Sequence, residues 1–77
     1  METLIEELTM ILDDKAIPKN IRAKMNEAIL TLQDTEKERS IRANKALQEL
    51  DDISDDPNIP SYIRPQIWNI VSQLEAI

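Results

Sequence analysis

The chain has 77 residues and a net charge of −6, with nine Lys and Arg against fifteen Asp and Glu, and it contains no Cys, His, Gly or Phe. That length allows one small domain, and the missing residue types exclude a disulfide framework and any thiol or imidazole catalysis. No apolar run exceeds three residues, so a transmembrane span is excluded as well.

The apolar residues recur at intervals of three and four, the rhythm of amphipathic helices, and no run alternates as a strand would. Helix 1 is expected over about residues 2–14, with Leu4, Ile5, Leu8, Ile11 and Leu12 on its buried stripe and Asp13 and Asp14 ending it. Helix 2 follows with Pro18 in its first turn, where a missing N–H costs nothing. It continues through Ile21, Met25, Ala28, Ile29 and Leu32 to about Gln33.

The connection Asp34 to Arg39 separates the first helix pair from the second. Thr35 and Glu38 have the spacing of a capping box that would start helix 3 at residue 36, with Ser40 as the competing cap. Ala43, Ala46, Leu47, Leu50 and Ile53 form the stripe of helix 3, and Asp55-Asp56-Pro57-Asn58 reads as a turn. For helix 4, Ser61 is the expected N-cap, which leaves Pro65 at the end of the first turn. Ile63, Ile67, Ile70, Val71, Leu74 and Ile77 make its core face.

Residues 4–33 and 46–75 align without a gap at an offset of 42. Glu7/Glu49, Leu8/Leu50, Ile11/Ile53, Asp13/Asp55, Asp14/Asp56, Ile17/Ile59, Pro18/Pro60, Ile21/Ile63, Arg22/Arg64 and Leu32/Leu74 coincide. A self-match at this period is the signature of stacked helix pairs. The expected architecture is all-α, a single domain over 1–77 built as a four-helix bundle of two pseudo-repeated antiparallel αα-hairpins. A chain of this size buries only about 60% of the surface of its unfolded form, so association would add to a marginal stability.

The unit Asp-Asp, two residues, Ile-Pro-x-x-Ile-Arg resembles the junction between the paired helices of HEAT-type repeats. That resemblance implies Asp13, Asp55 or their neighbours paired with Arg22 and Arg64. The chain from Ser40-Ile41-Arg42-Ala43 through Asp56-Pro57-Asn58-Ile59-Pro60 to Ile67-Trp68-Asn69-Ile70-Val71 is also similar to a small uncharacterised archaeal protein family of about this length. The similarity implies an all-helical cytosolic protein and no assigned activity.

The two halves differ where an interaction site would show. Trp68 stands where the first unit has Asn26, and Tyr62 where it has Asn20, so both aromatic residues of the chain replace asparagines. Aromatic side chains outside a core stripe suit association surfaces, and Arg64 is placed to lie over the Trp68 ring. Tyr62, Arg64 and Trp68 are the candidate interaction patch; the structural alternative is that Trp68 covers the edge of an asymmetrically packed bundle.

Charge is also unevenly placed, with residues 15–45 at net +4 and the remainder at −10. Lys37, Arg39, Arg42 and Lys45 are candidate phosphate contacts at the central connection, although pairing with the acidic helices explains the same asymmetry. Asp51, Asp52, Asp55 and Asp56 read as turn and ion-pairing residues rather than metal ligands, because the loop lacks the calcium-binding rhythm and its glycine. Four carboxylates at a helix C-terminus oppose its dipole and call for compensation by Arg22, Arg42 or Arg64.

The sequence thus predicts a cytoplasmic interaction or scaffolding module rather than an enzyme, without cofactor, metal, membrane or evident small-molecule substrate. Its partner would be another protein or a second copy of itself, as a homodimer. The alternative is a nucleic-acid-associated accessory of a ribonucleoprotein that uses the basic central hairpin.

Overall fold

The computed structural model describes residues 2–77. It holds four α-helices and, among the described residues, no strand: α1 (Glu2–Leu12), α2 (Lys19–Gln33), α3 (Arg39–Ser54) and α4 (Arg64–Glu75). Each helix packs on the next, and α4 returns to α1, so the four close around one core. The accessible surface, 4885 Å², is close to the about 4,800 Å² expected of a folded monomer of this mass.

The expected stripes are the buried ones. Leu8, Ile21, Met25, Leu32, Leu50, Ile53, Ile63, Ile67, Ile70 and Leu74 are fully buried, with Ala28 and Ala46 letting the helices approach. Ile5, Leu12, Ile29 and Leu47 pack against this core from its margin. Ile77 departs from expectation: it follows the last turn of α4 and is exposed, since the helix ends before its side chain can reach the core.

The same construction recurs at all three connections. In each, an aspartate closes a turn by accepting the N–H two residues on: Asp14 from Ala16, Asp34 from Glu36, and Asp56 from Asn58, at 2.9–3.2 Å. Its carbonyl then accepts the next N–H, from Ile17, Lys37 or Ile59. Eight residues after the aspartate an arginine reaches back to the end of the preceding helix. Arg22 donates to the carbonyls of Leu12 and Asp14, Arg42 to that of Leu32, and Arg64 to those of Ser54 and Asp56.

These carbonyls are the acceptors that a helix C-terminus leaves unpaired, and a cation there opposes the negative end of the dipole. The arginines therefore join consecutive helices through main-chain oxygens, and the neighbours of Asp13 and Asp55 that pair with Arg22 and Arg64, namely Asp14 and Asp56, do so through their carbonyls. Arg64 supplies the compensation required at the acidic end of α3. The central connection, read from sequence as a separator, is built like the other two.

The helix starts differ from expectation for reasons local to each turn. At the centre, Asp34 commits the Glu36 and Lys37 N–H groups to its turn. Glu38 is therefore the extended N-cap of α3, without a side-chain cap bond, and neither Thr35 nor Ser40 caps the helix. In α4, Pro65 has no N–H to return to Ser61. Residues 61–63 form a turn with Ile63 N–H on Pro60 O at 3.0 Å, Ile63 becomes the N-cap, and the α-helix begins at Arg64. Pro18 is itself the N-cap of α2, one residue before the helix.

Candidate functional site

The turn before α4 and the first turns of that helix carry the predicted interaction patch. Tyr62 and Trp68 are exposed, at 52% and 55% of their surface. Trp68 follows the fully buried Ile67 and lies outside the core stripe, so the core does not account for its indole. Tyr62 is held from one side: its hydroxyl donates to Asp14 Oδ2 at 2.5 Å, tying the third connection to the first. This bond, with the Ala16 N–H on the same carboxyl, holds Asp14 below the usual carboxylate range, and the hydroxyl's partner raises Tyr62 above the usual phenol value.

Arg64 has a different place from the one expected. Its guanidinium is half-buried, with Nε on Ser54 O at 2.9 Å and Nη2 on Asp56 O at 3.4 Å. Its donors are directed at the α3 terminus, which they join to the start of α4 one turn before Trp68.

Three of the four candidate phosphate contacts come together. Lys37, Arg42 and Lys45 line a shallow depression between α2 and α3 with Leu30, Thr31, Asp34 and Ile41, whereas Arg39, exposed at the start of α3, does not line it. Beside this depression the central connection has no apolar plug. Ile17 and Ile59 are buried in the other two connections, and the corresponding residue here, Lys37, is exposed. Arg42 is also less fully engaged than its counterparts, with one carbonyl bond at 2.8 Å and a buried Nε that has no protein partner.

Sequence reasoning missed three exposed apolar residues, two of them, Leu30 and Ile41, beside these charges and the third on α1. Leu30, Ile41 and Met10 are exposed at 66%, 51% and 72%. The signal was present in the internal alignment, where Leu30 and Met10 face Ser72 and Asp52 of the second unit. It is the same apolar-for-polar contrast that singles out Trp68, with the halves exchanged. Among the described residues no three Asp or Glu side chains gather as a metal site, and no helix is long and apolar enough to cross a membrane.

The arginine-joined helices, the closed core and the absence of a strand among the described residues define the class: a small all-α protein of four helices. The chain belongs to the uncharacterised protein family UPF0147, whose family profile matches residues 1–77. It is similar to UPF0147 proteins of Metallosphaera sedula (46% identical over 70 residues, covering 91% of this chain and 79% of that protein) and Archaeoglobus fulgidus (42% over 77 residues, 100% and 87%). It also resembles the crystal structure of unknown function protein MMP1188, with a TM-score of 0.93 and 45% identity over 99% of this chain and 86% of that one. These relatives bear out the similarity to a small archaeal helical family.

Proposed function

We propose that the protein is a non-catalytic, cytoplasmic interaction module that presents the α4 patch of Trp68 and Tyr62, joined to α3 by Arg64, to another protein. The observation that carries this reading is the half-exposed indole of Trp68 on a helix whose core face is already filled. A large, rigid aromatic at such a position offers contact area at low conformational cost, which is why Trp and Tyr anchor interfaces. The Tyr62–Asp14 hydrogen bond adds to this by holding the second ring in place before a partner arrives.

Affinity purification of the tagged protein from its native cytosol at low salt, before and after nuclease, tests the proposal. A protein that stays bound after nuclease and is lost with Trp68→Ala supports it. Retention of every bound protein by the Trp68→Ala variant overturns it.

The gathering of Lys37, Arg42 and Lys45 in one depression favours a second reading, contact with an RNA backbone. Asp34 in the same depression and the two exposed apolar side chains beside it count against a phosphate track. Binding to RNA that shows no salt dependence would remove this reading.

A further inference from the structure

The outer face of α2 and α3 carries a feature that neither the aromatic patch nor the core explains. The depression at its central-connection end is continuous with a second, lined by Glu27, Leu30, Thr31, Lys45 and Glu49, and then with a third that adds Lys24 and Asp52. Along this groove the charges are ordered. Lys37, Arg42 and Lys45 occupy one end and Glu27, Glu49 and Asp52 the other, with exposed Leu30 between them. Asp34 and Lys24 balance each other at the two extremes, so the groove is electrically neutral on a chain of net charge −6.

A surface that runs from basic to acidic is complementary to itself when turned end for end. In a two-fold dimer each residue pair across the interface occurs twice, so one favourable pair counts double. Lys45 and Glu49 are one helical turn apart on α3, on either side of the middle of the groove. A two-fold axis passing between them sets Lys45 of each copy opposite Glu49 of the other and brings the two Leu30 side chains together. Like-charged copies repel over most of their surface, and this neutral face is where they can approach.

We infer that the α2–α3 face is a self-complementary surface whose partner is a second copy of this chain, docked antiparallel around Leu30, Lys45 and Glu49. The surface sets its own limit on strength. A face bounded by Cα extents of 33 × 19 Å offers about 600 Å² per copy, and the resulting total of about 1,200 Å² is at the lower edge of stable interfaces. An interface of that size, held at its centre by exposed charge pairs, dissociates as salt is raised. It does not depend on Trp68, which lies on α4.

Sedimentation equilibrium of the purified full chain at micromolar to millimolar concentration and low salt tests the inference, using wild type, Lys45→Glu, Glu49→Lys and Leu30→Asp. Circular dichroism of each variant establishes that it is folded. The expected result is a monomer–dimer equilibrium for wild type and Trp68→Ala, with dimerisation weakened at least about tenfold in each of the three groove variants. Mixing Lys45→Glu with Glu49→Lys distinguishes this geometry from a general charge effect, since the acidic 45 then meets a basic 49 and the mixed dimer forms more tightly than the homodimer of either variant. A wild type that remains monomeric at 1 mM overturns the inference, as does a mixture that stays monomeric. A wild type that is monomeric but binds RNA through Lys45 also overturns it, and assigns the groove to nucleic acid. Loss of the protein partner in Trp68→Ala with an intact dimer separates the two surfaces.

Discussion

The Tyr62 hydroxyl donates to the Asp14 carboxylate at 2.5 Å across 48 positions of sequence, joining the connection before α4 to the one after α1. Both residues lie at the surface, so the bond is a latch between loops rather than part of the core. Its signature is in titration. Asp14 is lowered, so its contribution to folding is present above its unfolded value of about 4 and is lost as pH falls through the lower folded value. Tyr62 is raised, so its contribution is present below about pH 10 and is lost as pH rises through the higher folded value. Ultraviolet titration of the single tyrosine should give a pKa above that of a free phenol, and Asp14→Asn should bring it down. An unchanged value in Asp14→Asn would show that the latch does not form in solution.

The arginines at the three connections should not be equal. Arg64→Met removes two hydrogen bonds from the end of α3 and should cost about 2 kcal/mol, since bonds to a charged donor contribute about 1.5–3 kcal/mol each before partial exposure reduces them. Arg42→Met removes one such bond and also an unpaired buried Nε, so its cost should be smaller, about 1 kcal/mol. Urea unfolding with an unchanged m-value measures both. Equal costs would mean that the second carbonyl bond of Arg64 contributes nothing.

Neighbouring positions on α4 should respond in opposite ways. Ile67→Ala empties a fully buried site and should cost about 2–5 kcal/mol. Trp68→Ala removes a half-exposed ring and should cost about 1 kcal/mol or less. If Trp68→Ala destabilises as much as Ile67→Ala, the indole covers the bundle and is not held out for a partner.

Ser61 provides a control on the start of α4. It carries no cap bond, so Ser61→Ala should change stability by less than about 0.5 kcal/mol, whereas loss of a true N-cap costs about 1 kcal/mol. Thermal unfolding of this variant beside wild type decides between the two.

Much of the fold is legible in the sequence because a helix is a local object. The spacing of Leu4, Leu8 and Ile11, or of Ile67, Ile70 and Leu74, states which face is buried before any partner is known, and the number and order of the helices follow from it. The match of Ile-Arg at 21–22 and 63–64 pointed to the junctions as well. The recurrence at Ile41-Arg42 was hidden because it lies at another offset and lacks the Ile-Pro that marks the others.

What tertiary structure alone decided is what non-local geometry decides. Which atoms the arginines reach depends on where the preceding helix ends, and Pro65 moves the start of α4 by denying one N–H to the chain. The Tyr62–Asp14 latch, the exposure of Leu30 and Ile41, and the ordered groove between α2 and α3 arise only once four stripes have closed on one core. A local period fixes the inward face of each helix, while the neighbours on its outward face depend on how the helices are arranged around one another.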